Sequence, residues 1–172
     1  INVTGSTTLD GTLDVTNALR LTGAGAINLA DTVTATGNAT INGKASVSLN
    51  GSLDVDGNLD LDSVGNTTLT GILDIAGTSD LTVSDNLVID GNYTGGAKVT
   101  IDVVGTTAIT NSGENAFTVG GALDLDSVGI AALTGTFDVT GASMLNIGEE
   151  STDSALELTG TFTGKDSTTM NV

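Results

Sequence analysis

Along most of the chain Leu, Ile and Val alternate with Thr, Asp, Ser and Asn, and glycine or aspartate interrupts the alternation at regular intervals. Between Gly51 and Gly91 the interruptions fall at 51, 57, 65, 71, 77, 85 and 91, marking segments of 6, 8, 6, 6, 8 and 6 residues. Aliphatic side chains follow a corner by two and four places: Leu53 and Val55, Leu59 and Leu61, Leu73 and Ile75, Leu87 and Ile89. A period of two puts them on one side of an extended chain and the polar residues on the other. A helix cannot use this spacing, and each interior glycine would cost it about 1 kcal/mol. The pattern predicts short strands joined by tight corners, with no helix.

The corners recur every 20 residues. One series runs Gly5, Gly25, Ala45, Gly65, Asp85, Gly105; a second runs Gly11, Asp31, Gly51, Gly71, Gly91, Asn111; a third runs Asn17, Gly37, Gly57, Gly77, Ala97. Most are residues that accept tight-turn backbone. The aliphatics keep the same step, as in Leu9, Leu29, Leu49, Leu69, Ile89 and Ile109. A fixed period of this length is the mark of a stacked-repeat architecture. Three corners per lap and one strand between each pair predict an all-β fold, a single-chain triangular parallel β-solenoid. Each lap takes about 20 residues, giving roughly eight turns for the length of the chain. Each strand pairs with its equivalent one lap on, at about 4.8 Å, so residues i and i+20 stack. A slip of one residue would turn every aliphatic outward, which holds the register.

The step lapses after Asn111 and resumes at Gly121. There ALDLDSVG (122–129) repeats NLDLDSVG (58–65) at three laps plus four residues. Gly129, Gly135 and Gly141 then restore the corners, and GEESTDSALELTG (148–160) is a second, acidic expansion. The expected organisation is one β-solenoid domain over 1–172 with insertions near 112–120 and 148–159. Neither end shows a helical or charged cap, so the reading expects a segment of a longer rod or ends that pair with other copies.

Composition changes this picture little. With Tyr93, Phe117, Phe137 and Phe162 as the whole aromatic complement, a conventional globular core would lack its usual large rings. Those four are expected to fill locally wider laps, and an exposed Phe117 would instead mark a subunit contact. A net charge of −17, with 4 basic residues against 21 acidic, argues against nucleic acid, which needs clustered Lys and Arg. It also argues against docking to anionic lipid. No apolar run approaches the ~18 residues of a transmembrane segment, and no leader precedes the pattern. No direct membrane insertion is expected. Abundant Thr, Asn, Gly and Asp with little Lys suit an extracellular or cell-surface protein.

The units TTLDGTLDVTN (7–17) and AALTGTFDVTG (131–141) resemble the Gly-punctuated, Thr- and Asp-rich repeats of extracellular β-solenoids, found in filamentous adhesins and in phage or virus fibres. The resemblance spans nearly the whole chain and is one of repeat style. It implies a parallel β-helix serving as a structural or adhesive rod. Bactofilins share the triangular section, with more Lys and Glu expected on their surface. Hexapeptide acyltransferases share it too, with laps nearer 18 residues and a catalytic His that has no counterpart here.

Candidate chemistry is sparse. Without His or Cys there is no His-containing triad and no thiolate. Walker, dinucleotide and zinc-ligand spacings are also missing. No enzymatic activity is expected. The 20-residue step does place Asp54 over Asp74, Asp60 over Asp80 and, across the insertion, Asp102 next to Asp126. Like charges at strand spacing repel unless relieved. The four residues Asp54, Asp74, Asp60 and Asp80 are therefore the candidate metal ligands, for calcium. Solvated carboxylates interleaved with Thr34, Thr82 and Thr94 are the favoured alternative, since calcium takes about 6–8 oxygens. No other cofactor is expected. Outward threonines raise ice binding, but the columns are broken, as where Asp14 and Asp54 flank Thr34. Sequons at Asn2, Asn38, Asn50, Asn66 and Asn92 permit glycans on an exported protein.

The expected function is therefore that of an extracellular structural protein, a subunit or segment of a filament or fibre, self-associating end to end. The alternative is an adhesion or ligand-binding module on a cell surface or virus fibre, its contact surface carried by the two insertions.

Overall fold

A computed structural model describes residues 1–111, 116–148 and 155–172, with the side chains of Asn2 and Val3 excepted. Among the described residues there is no helix, and parallel strands stack in coils about 20 residues apart, forming a β-solenoid of about 7 turns.

Each coil lays down three strands, one on each of three faces. Face A is a 9-stranded sheet running from Asn2–Val3 through Leu59–Ser63 to Thr168–Asn171. Face B begins at Thr7–Leu9 and includes Thr67–Leu69 and Leu87–Asp90; face C begins at Leu13–Val15 and includes Ile72–Ile75 and Asn92–Gly95. The register is the predicted one. Leu61 pairs with Ile41 and Leu81, Leu69 with Leu49 and Ile89, and Leu73 with Leu53 and Tyr93. The first insertion lengthens the step to 24, pairing Tyr93 with Phe117, and the second to 25, pairing Ser143 with Thr168. They leave the solenoid at different corners, B to C and then A to B. Residues 112–115 and 149–154 themselves lie outside the described residues.

The core is a set of columns parallel to the stacking axis. Leu61, Leu81, Ile101 and Leu125 are fully buried, while the alternate side chains of the same strands face out. Burial of this kind contributes roughly 1.5–3 kcal/mol for each large aliphatic side chain. Because parallel neighbours repeat the same residue type, one coil's gain is matched by the next.

Two features differ from the expectation. Gly135 is not a break between strands: Ala131–Val139 runs through it as one nine-residue strand, and Leu156–Gly164 does the same through Gly160. Both glycines have positive φ, 114° and 127°, so each bends the strand without ending it. Through Ala131–Val139 faces B and C join into a single 14-stranded sheet. The second difference concerns why glycine occupies the corners. Gly57 and Gly77 have no positive φ. A Cβ on Gly57 would lie 2.7 Å from the Gly37 carbonyl carbon, and one on Gly77 2.6 Å from the Gly57 carbonyl oxygen. At these two positions successive coils approach too closely for a Cβ, and that closeness selects glycine there, whereas Asn17 and Ala97 occupy the same corner in other coils.

Candidate functional site

The carboxylate pairs lie where the register predicts. Asp54 is beside Asp74 on face C, Asp60 beside Asp80 and Asp102 beside Asp126 on face A. Thr34 and Thr94 cap the first pair along its column, and Thr82 adjoins Asp102. Asp54, Asp74, Asp60 and Asp80 are all exposed. Face A gathers a further acid, Asp62, which accepts a 2.9 Å hydrogen bond from Asn42 Nδ2. Among the described residues no group of three or more Asp, Glu, His or Cys converges as a metal site. Two carboxylates at strand spacing supply fewer oxygens than calcium's usual six to eight. The geometry gives one acid pair on face C and two on face A.

The aromatic residues are more organised than the sequence reading anticipates. Tyr93, Phe117 and Phe137 are fully buried, and Phe162 packs half-buried beyond them. All four stand in one column of face C. Ring centroids are 4.5 Å apart from Tyr93 to Phe117, 5.5 Å from Phe117 to Phe137 and 6.1 Å from Phe137 to Phe162. Phe117 is thus a core residue, as expected, because its column continues the inward Leu53–Leu73–Tyr93 line, and the alternative of an exposed subunit contact does not arise. The signal was available: the line reaches Phe117 and Phe162 once the two lengthened steps are counted. Space for the first ring comes from Gly95, two residues on. A Cβ at Gly95 would sit 3.0 Å from Tyr93 Cε1. Burial raises the Tyr93 hydroxyl pKa well above its ordinary value. The nearby Ser79 hydroxyl offsets part of that rise, yet neither hydroxyl makes a hydrogen bond of good geometry.

Corner asparagines form ladders that the sequence reading treats only as sequons. Asn38 Oδ1 accepts the Asn58 N–H at 3.0 Å, and Asn58 Oδ1 accepts the Thr78 N–H at 2.9 Å. Asn66 Oδ1 accepts from Asn86 N–H, and Asn86 Oδ1 from Thr106 N–H. These bonds satisfy backbone donors at corners, where the strand ladder cannot. They bear on glycosylation, which uses Nδ2. Asn38 and Asn66 commit Oδ1, whereas Asn50 donates its Nδ2 to Asn28 at 3.1 Å and would lose that bond. Asn92 Oδ1 is buried without a partner. The Asn2 side chain lies outside the described residues.

One groove crosses the coils on face A, about 250 Å3 in volume and lined by Lys98, Asp124, Ser143, Met144 and Thr169 among others. Lys98 and Asp124 form an ion pair across it at 3.4 Å, both partly exposed. Ligand pockets usually run about 300–1,000 Å3, so this groove is small, and no nucleophile–base pair stands in it. The proposed contact surface on the insertions falls partly on residues outside those described.

Comparison with protein-family models, curated proteins and solved structures finds no match to this chain. The architecture is that of a repeat β-solenoid, a fold consistent with repeat structural or adhesin-like proteins. Among the described residues no helix is long and apolar enough to cross a membrane.

Proposed function

We propose that this chain is a non-catalytic structural segment of an extracellular filament or fibre, extended by further β-solenoid coils on its outermost turns. One observation carries the reading: the core columns run open at both outermost coils. Leu133 and Leu145 are buried, but their column partners one coil on, Leu158 and Met170, remain 40% and 41% exposed. At the other end Leu9, Leu13 and Val15 are only half-buried, against full burial of Leu29, Val33 and Ala35. A further coil, from the same polypeptide or from another copy, would bury these side chains and pair the unpaired backbone edge. Repeat solenoids behave as one-dimensional stacks, each coil stabilised by its neighbours. Stiffness would come from the continuous ladders, and solubility from the −17 charge.

Electron microscopy across a concentration series tests it. The expected result is particles one solenoid wide that lengthen as concentration rises. Single short particles at every concentration overturn end-to-end extension by separate copies. The extracellular placement rests on composition and is checked by fractionating the producing cells. The second reading, an adhesion or ligand-binding module, has the Lys98–Asp124 groove in its favour and its small volume against it.

A further inference from the structure

Charge is not spread evenly over the three faces. The outward columns of face A carry Asp60, Asp62, Asp80, Asp102, Asp124 and Asp126. Face C carries Asp14, Asp54, Asp74 and Asp138. On the outward positions of its strands face B carries only Asp90 before Glu157 in the last described coil. One column reads Asn28, Ser48, Thr68, Val88, Ala108 and Ala132. The column beside it, at the A-to-B corner, reads Ser46, Asn66, Asn86, Thr106 and Ile130. Asp10, Lys44 and Asp85 border the strip, and Asp90 stands at its edge, in the column of Asn50 and Thr70.

The polar side chains of this strip already bond one another. Asn86 Nδ2 donates to Asn66 Oδ1 at 3.1 Å, Thr106 Oγ1 to Asn86 Oδ1 at 2.8 Å, and Thr70 Oγ1, at the edge, to Asn50 Oδ1 at 3.2 Å. Groups satisfied within the face lose less on leaving water than unpaired ones. Toward the later coils the strip turns apolar, with Val88 and Ile130 at 37% and 41% exposure.

We propose that face B is a lateral contact surface, and that its occupant is face B of a second copy of this chain. The charge distribution selects that partner. Two molecules of −17 repel, and of the three faces this one sets the fewest carboxylates against each other. The spacing agrees, because side-chain rows repeating at about 4.8 Å fit best against rows of the same repeat. Sheets so packed stand about 10 Å apart. With about 7 coils at about 4.8 Å and strands about 15 Å across including their corners, the strip covers about 500 Å2 per copy, or about 1,000 Å2 in total. Stable interfaces bury about 1,200–2,000 Å2. The pairing is therefore weak and reversible for one pair of short rods, and it strengthens with rod length. It goes beyond the end-to-end reading and joins rods side by side.

Sedimentation equilibrium of the whole chain, at about 0.02 M and about 0.5 M NaCl, tests it, since salt shortens the Debye length from about 20 Å to about 4 Å. The variants are Ala108→Asp and Thr68→Asp on face B, with Thr94→Asp on face C as control. Asp occupies equivalent outward strand positions at 54 and 74, so the fold tolerates it, and far-UV circular dichroism verifies that. The expected result is a monomer–dimer equilibrium that tightens with salt, unchanged in Thr94→Asp and weakened about ten-fold or more in both face B variants. Monomer alone at both salts overturns the proposal, as does dimerisation that both face B variants retain. An open-ended mass series insensitive to the face B variants assigns association to the end coils and likewise overturns it. End-to-end filaments whose width stays that of one solenoid would leave the structural reading intact while this one fails.

Discussion

Thr67 and Thr107 occupy the same core column, yet their hydroxyls fare differently. Thr107 Oγ1 donates to Ser127 Oγ at 3.0 Å inside the core. Thr67 Oγ1 is buried without a partner, between Val47 and Leu87 of the adjoining coils. An unsatisfied buried hydroxyl costs about 1–3 kcal/mol, and valine has the same shape. Thr67→Val is accordingly expected to stabilise the fold by about 1 kcal/mol. Thr107→Val is expected to destabilise it by a similar amount, because Ser127 would keep only its 3.4 Å contact with the Gly105 carbonyl. Urea denaturation of both variants checks the pair, and a loss of stability in Thr67→Val would contradict the account. Neither assignment was readable in the sequence, where both threonines stand at inward positions. Inwardness follows from a period of two, but hydroxyl satisfaction depends on what the next coil brings within reach. The acid pairs at Asp54/Asp74 and Asp60/Asp80 were legible for the opposite reason: adjacency in a parallel stack needs only the step.

At the scale of the strand and its corner, the 20-residue step carried almost everything. Leu61 pairs with Leu81 because the aliphatics recur at that interval, and the lengthened coil at 112–120 was visible as a lapse in the same interval. The corner chemistry was misjudged. Glycine was expected for its turn conformations, whereas most of the glycine corners leave no room for a Cβ against the coil before. Gly71 is the sharpest instance, since a Cβ there would overlap the Gly51 carbonyl oxygen. Gly37 is looser, since a Cβ there would meet the Asn17 and Ala18 backbone at 3.0 and 3.1 Å. Gly71→Ala is expected to cost several kcal/mol or to block folding, as overpacking a fixed backbone does. Gly37→Ala should stay within about 1 kcal/mol of neutral, because a small shift relieves its contact and the unfolded chain becomes less flexible. Thermal unfolding of the two variants separates the explanations: equal losses would favour a conformational requirement, unequal ones the steric requirement. The strand continuing through Gly135 escaped the sequence for a related reason. Gly135 follows Thr134 as Gly71 follows Thr70, and only its φ of 114° distinguishes a bend from a corner.

For the molecule as a whole the dominant unbalanced term is charge. Coils stacked at about 4.8 Å bring acid columns of neighbouring turns together, and Lys98–Asp124 is the only ion pair found among the described residues. Surface pairs of that kind contribute about 0–1 kcal/mol, too little to offset self-repulsion from a net charge of −17. The repulsion acts between folded coils, and unfolding relieves it by spreading the charges apart. Added salt screens it, with a Debye length of about 10 Å at 0.1 M and about 3 Å at 1 M. The thermal midpoint of the dilute monomer is therefore expected to rise as NaCl goes from about 0.01 M to about 0.5 M. A fold held by surface ion pairs would lose stability over the same range. The gain should be as large in potassium chloride as in sodium chloride, since screening depends on ionic strength and not on the identity of the cation. Circular dichroism melts at several ionic strengths decide the matter. A midpoint that falls with salt would mean that attractive pairs, and not acid columns, set the electrostatics of this solenoid.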